Sequence, residues 1–181
     1  NNYIYLNPAD TVIDGFPVYE YVQANAVLFG GEAGVDLHPH PLDWLHIRST
    51  FSAVLAELED GTPLPLIPAM KLDNSLKVEL EKCWKFEEFY VSVGYTNVMA
   101  QDRTAALETK TAAYDLLHAG LGFSIPMKDR SIELSIVGNN LLNTAYFDHL
   151  SRLKYAGIYN MGQNITFNLK VPFGSSVNSN G

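Results

Sequence analysis

Hydrophobic and polar residues alternate along most of this chain with a period of two, the mark of strands showing one apolar and one polar face. The cleanest run closes the chain: Ile165, Phe167, Leu169, Val171 and Phe173 share one face, and Asn164, Thr166, Asn168 and Lys170 the other. Ile132, Leu134 and Ile136 alternate with Ser131, Glu133 and Ser135; Phe89, Val91, Val93 and Tyr95 alternate with Tyr90, Ser92, Gly94 and Thr96. The same pattern sets Leu76, Val78 and Leu80 against Ser75, Lys77 and Glu79. It also sets Leu45, Ile47, Phe51 and Ala53 against His46, Arg48, Thr50 and Ser52. Leu117, Ala119, Leu121, Phe123 and Ile125 oppose His118, Gly120, Gly122 and Ser124. Weaker strands fit residues 1–7 and 18–37, the second with room for a bulge where the faces switch.

Helical spacing competes at Phe51, Val54, Leu55 and Leu58, and loosely over residues 104–121. Gly61-Thr62-Pro63 cuts the first short, and Gly120 and Gly122 break the second. Both segments are read as strands flanking loops. Eight strands then leave short connections at 38–43, 81–88 and 126–130, and longer ones at about 8–17, 56–69, 98–113 and 140–162. Short and long alternate, so one end of the sheet carries turns and the other loops. An up-and-down outer-membrane barrel has that shape.

Alternation does not say which way the apolar face points. A lipocalin-like soluble barrel turns it inward to hold a ligand; a transmembrane barrel turns it outward to lipid. Three features favour the membrane. The polar faces mix Ser, Thr, Asn and Gly with Arg48, Lys77, Glu79 and Glu133, which suits a wet lumen. Tyr3, Tyr5, Tyr19, Tyr21, Phe89, Tyr90, Tyr95, Tyr146, Phe147 and Phe173 cluster near strand ends, as an interfacial girdle requires. The last strand ends on an aromatic, Phe173.

Composition narrows the choices. The 181 residues carry a net charge of −8, which argues against a phosphate-tracking nucleic-acid binder. A single cysteine, Cys83, excludes an internal disulfide framework and a cysteine-rich zinc site. No apolar run reaches the roughly 18 residues of a membrane-spanning helix. The segment from Gly174 to Gly181 reads as a flexible tail.

Several segments resemble one family. Asn140-Leu141-Leu142-Asn143-Thr144-Ala145-Tyr146, followed by Asp148-His149-Leu150-Ser151-Arg152, is similar to the segment before the final strand of TonB-dependent outer-membrane receptors. Gly162-Gln163-Asn164-Ile165-Thr166-Phe167 with Val171-Pro172-Phe173 resembles that family's terminal strand. Gly30-Gly31-Glu32, Pro41-Leu42-Asp43-Trp44-Leu45 and Pro63-Leu64-Pro65-Leu66-Ile67-Pro68 resemble further family segments, in the family's order. The resemblance implies a C-terminal piece, residues 1–173, holding about the last eight strands of a 22-stranded barrel. The plug domain and the TonB-contacting segment of such receptors have no counterpart in the chain.

What the resemblance implies is active uptake, in the outer membrane of a Gram-negative bacterium, of a scarce solute such as an iron siderophore, haem, cobalamin or glycan. Its partners would be outer-membrane lipid, the rest of the barrel with its plug, TonB through the missing N-terminal part, and the barrel assembly machinery. Ile165, Phe167, Leu169, Val171 and Phe173 would be the assembly signal. No enzymatic chemistry, cofactor or resident metal is expected. A passive porin or adhesin barrel and a soluble lipocalin-like barrel stand as the alternatives.

Candidate chemistry is sparse. Arg48 and His118 fall on the polar face, and His149 and Arg152 in the longest loop, as candidate solute or plug contacts beside a structural reading at the loop base. His38, His40 and His46 invite a metal reading, but nothing supplies a closed ligand set, and a polar turn is the better account. Glu57, Glu59 and Asp60 read as a solvated acidic loop before a calcium site. Gly30-Gly31-Glu32-Ala33-Gly34 has the wrong spacing for a dinucleotide loop. An isolated eight-strand piece would have to pair its edges with further strands, close on itself or associate with another copy.

Overall fold

The structure, a computed structural model, describes residues 2–127 and 130–173, so the tail from Gly174 onward lies outside the described residues. The strands are β1 (Asn2–Ile13), β2 (Phe16–Leu37), β3 (Leu45–Leu58), β4 (Lys71–Cys83), β5 (Phe86–Val98), β6 (Tyr114–Met127), β7 (Arg130–Asn139) and β8 (Asn164–Lys170). A short 3-10 helix, Arg152–Ala156, interrupts the last connection. Every strand pairs antiparallel with its neighbour in sequence, giving one eight-stranded up-and-down sheet. β1 and β8 are its two edges, so the sheet is open. Of the three ways to satisfy those edges, closure of these strands on themselves is not the one adopted. Both segments with competing helical spacing are strand or loop: β3 runs through to Leu58, and β6 follows an irregular 99–113.

Register carries the alternation across the whole sheet. Leu45, Val78, Val91, Leu121, Ile136 and Phe167 pair in one continuous row from β3 to β8. Beside it runs the row Ile47, Leu76, Val93, Ala119, Gly138 and Ile165. The opposite face carries Arg48, Ser75, Gly94 and His118, with Asp36 ahead of them on β2 and Asn139–Asn164 behind. Val54, Val98, Leu116 and Val137 are apolar exceptions on that face.

Burial shows which side is the inside. Within the interior strand β5, Val91, Val93 and Tyr95 are 38%, 44% and 41% exposed, whereas Thr96 on the polar face is 9% exposed. Side chains converge and cover one another on the concave side of a curled sheet and splay on the convex side. The polar face is therefore the inner one. An outward band of large apolar side chains is the reverse of what water selects.

The band is bounded at both ends. Towards the loops, Ser49 Oγ donates to Asn74 Oδ1 at 2.8 Å, and Asn97 Nδ2 donates to Asp115 Oδ1 at 2.6 Å, so polar groups on this face arrive already paired. Towards the turns stand aromatics: Trp84 meets Phe86 edge-on at 6.1 Å, and Phe86 meets Phe123 at 4.3 Å.

Three sequence expectations need correction. The first connection is not a long loop over 8–17, because β1 and β2 continue to a two-residue turn at Asp14-Gly15. Both turn residues have positive φ, 52° and 85°, the geometry for which Asp-Gly is the favoured hairpin dipeptide. Strict alternation of short and long connections thus fails at the first and holds for the other six. The last strand ends at Lys170, and Val171-Pro172-Phe173 leaves the ladder where proline can donate no hydrogen bond.

No switch of faces interrupts β2; the register shifts lie in β1, between Pro8 and Val12, and in β5. Between Glu87 and Tyr90 the β5–β6 register shifts, with Glu88 at φ 50° and its carboxylate accepting from Ser124 Oγ at 2.6 Å. This bulge restores Phe89 to the apolar face.

Glycine is required at Gly30 for want of space. A Cβ there would lie 2.5 Å from the Ala53 carbonyl oxygen and 3.1 Å from Val54 Cα, and backbone cannot swing aside. Gly30→Ala is expected to destabilise the β2–β3 pairing by about 1–3 kcal/mol. Gly31→Ala, where nothing lies within 4 Å, should be near neutral. Thermal unfolding of the two variants in detergent checks the difference.

Candidate functional site

The loops at one end of the sheet (59–70, 99–113 and 140–163) pack together over the polar face. Their geometry explains the motif Asn140-Leu141-Leu142-Asn143. Asn140 and Asn143 adopt left-handed backbone at φ 48° and 51°, a conformation asparagine tolerates better than other side-chain-bearing residues. Buried Asn140 then accepts the Thr144 N–H at 2.9 Å and donates to the carbonyls of Thr144 (2.9 Å) and Met161 (3.3 Å). Asn143 Oδ1 accepts the Gln163 N–H at 3.0 Å. The two asparagines brace the start of the long loop against its end, immediately before β8.

The following Asp148-His149-Leu150-Ser151 is equally local. The Asp148 carboxylate accepts the Leu150 N–H at 2.9 Å and its carbonyl accepts the Ser151 N–H at 3.0 Å, which closes a tight turn. Asn160 Oδ1 accepts the Asp148 N–H at 3.0 Å, and Phe147 stacks on Tyr159 at 4.4 Å, joining the limbs of the loop.

Below these loops lies a cleft of about 320 Å³ on the polar face, walled by Lys71, Thr96, Tyr114, His118, Tyr146 and Asp148 among others. Tyr114 and Tyr146 pack ring to ring at 4.3 Å, and Tyr114 Oη donates to Asp148 Oδ2 at 3.4 Å. His118 Nδ1 is 3.2 Å from Asn139 Oδ1, which as an acceptor assigns the proton to Nδ1 and leaves Nε2 a lone pair when the ring is neutral. The cleft combines aromatic faces with an ammonium, an imidazole and a carboxylate.

The four candidate contacts separate. His118 and His149 both line the cleft, but His149 is buried in the loops, 2% exposed. Arg152 is exposed at the start of the 3-10 helix. Arg48 stands towards the turn end, where Nε and Nη2 both bond to Asp36. His38 and His46 extend that pair: His38 Nε2 lies 3.2 Å from Asp36, the two rings meet at 3.1 Å, and His46 faces Glu79 at 3.8 Å. Among the described residues no three His, Cys, Asp or Glu side chains gather in an arrangement that could hold a metal.

Sequence reading missed Gln101, Glu108, Thr111 and Lys154. Gln101 Nε2 donates to the carbonyls of Ile67 (3.0 Å) and Pro68 (3.3 Å), and Gln101 pairs with Thr111 across its own loop. Glu108 and Lys154 meet at 3.9 Å with 4% and 2% of their side chains exposed. Only pairing between distant loops reveals them, since single charged residues in irregular segments carry no periodic signal. Burial holds the Lys154 ammonium below its ordinary value, against the pull of Glu108 and Asp148.

No family model matches the chain, and no curated protein matches it. Its fold is similar to the solved structure of the copper transporter OprC, with a TM-score of 0.74 and 16% identity, covering 90% of this chain and 24% of that one. The chain thus spans about a quarter of that protein's length. At this identity the likeness carries the fold alone: the chain is a distant structural relative, an all-β, antiparallel, barrel-like sheet.

Proposed function

We propose that this chain is part of the barrel wall, with its extracellular loops, of a TonB-dependent active transporter in the outer membrane of a Gram-negative bacterium. One observation carries the reading: the apolar side chains from β3 to β8 form an outward, exposed band while the polar face is turned in. The ordered series of motif resemblances supports the family, and the fold shared with a transporter supports the architecture. On this reading the loop end faces outside the cell, the turns face the periplasm, and β1 and β8 pair with the remaining strands of a larger barrel. Ile165, Phe167 and Leu169 meet lipid and serve, with Val171 and Phe173, as the assembly signal.

The cleft around His118 and Lys71 is then a contact for solute or plug, and the Asp36–Arg48 pair faces the plug nearer the periplasm. The solute, a metal ion or metal chelate, passes without covalent change. Energy for its release comes from TonB acting on the plug.

The test is uptake by cells that carry or lack the complete protein, with radiocopper and radio-iron chelates as probes and a protonophore as the second variable. Accumulation that needs both the protein and the proton gradient supports the proposal. Accumulation indifferent to the protonophore would assign a passive porin. Recovery of the protein in the soluble fraction would leave the lipocalin-like alternative.

A further inference from the structure

One buried carboxylate gathers a donor or a basic group from each of the three long loops. Glu108 belongs to loop 99–113. Its Oε1 accepts the Leu66 N–H of loop 59–70 at 3.1 Å, and its Oε2 accepts the Ala105 N–H at 3.2 Å. The same Oε1 faces His149 Nε2 at 3.1 Å and Lys154 Nζ at 3.9 Å, both from loop 140–163. Lys154 Nζ donates to the backbone carbonyls of His149 (2.7 Å) and Thr109 (3.3 Å), tying the second loop to the third again.

The arrangement sets one anion against two basic groups. His149 Nε2 is at ion-pair distance from Glu108 yet off line for a hydrogen bond, and it makes none elsewhere. Its other nitrogen, Nδ1, lies 3.0 Å from Thr111 Oγ1, a hydroxyl able to donate to a neutral ring or accept from a protonated one. Burial, and then Lys154, hold the imidazole below its ordinary value of 6.5, while Glu108 and Asp148 pull the other way.

We propose that Glu108 clasps loops 59–70, 99–113 and 140–163 into a single lid over the polar cleft, and that protonation of His149 opens the clasp. Burial gives the sense. The His149 side chain is 2% exposed, so a proton on it must be held almost without water and beside the Lys154 ammonium, and this outweighs the pull of the Glu108 and Asp148 carboxylates. Because the folded protein holds the ring below 6.5, the clasp is at full strength above that pH and weakens as pH falls beneath it. The inference concerns the loops alone and is independent of the solute.

Hydrogen–deuterium exchange of the detergent-solubilised protein tests it, read as protection relative to each amide's intrinsic rate. Between about pH 7.5 and about pH 5, protection in all three loops is expected to fall together by roughly tenfold or more, with the strands unchanged. His149→Gln should abolish that pH dependence. Lys154→Met should weaken it, since Lys154 is the second cause, after burial, that holds the His149 ring below its ordinary value. Glu108→Gln should loosen the three loops together at both pH values; if that variant does not fold, the other two decide. Equal protection at both pH values in the unmodified protein would overturn the proposal. So would loops that respond separately to Glu108→Gln, or a Lys154→Met variant that loosens in acid as much as the parent.

Discussion

Phe167→Arg is expected to cost about 2–4 kcal/mol of stability in phospholipid vesicles, the range for a cation on the lipid face of a barrel near the bilayer midplane. Phe167 sits at the middle of β8, projects outward and is 77% exposed. In water, arginine in place of so exposed a phenylalanine would change stability by less than about 0.5 kcal/mol. The preceding residue supplies the control. Thr166 points to the polar face, so Thr166→Arg should be nearly neutral in the same vesicles. Denaturant unfolding of the two variants, in lipid and compared with the parent, reads the difference. Two neutral variants would mean that no bilayer meets this face. A ruinous Thr166→Arg beside a harmless Phe167→Arg would reverse the assignment of inside and outside.

Asn140→Ala should be the most damaging change in the loops, at about 2–4 kcal/mol. The figure combines three hydrogen bonds of about 1 kcal/mol each, offset by what water restores, with about 1 kcal/mol for alanine in left-handed backbone. Asn140→Gly keeps the backbone and loses only the bonds, so it should fall between alanine and the parent. Limited trypsin digestion reports the same event locally. Once the brace is gone, cleavage after Arg152, already exposed, should outpace cleavage elsewhere. An Asn140→Ala protein that melts and digests like the parent would show that the motif does not hold the loop.

The motif resemblances and the hydrogen bonds give two accounts of the same residues. Asn140, Asn143 and Asp148 close turns with their own side chains, so their spacing is set by backbone geometry within one loop and stands plainly in the sequence. The Asp14-Gly15 hairpin is equally local, but the weak alternation of residues 8–17 reads as a loop and masks the strongest turn dipeptide in the segment. The chain of polar side chains from Arg48 through Asp36, His38 and His46 to Glu79 could not be paired until register joined β2, β3 and β4.

The amino-acid sequence by itself determined the strands, their antiparallel order and the division into an apolar and a polar face, because a period of two is a property of neighbouring residues. It also determined which end carries the long loops. Tertiary structure alone decided that the apolar face looks outward, that the sheet stays open between β1 and β8, and that Glu108, His149 and Lys154 meet. Curvature and contacts between distant loops depend on how strands stack and what they enclose, and no local pattern of side chains encodes either.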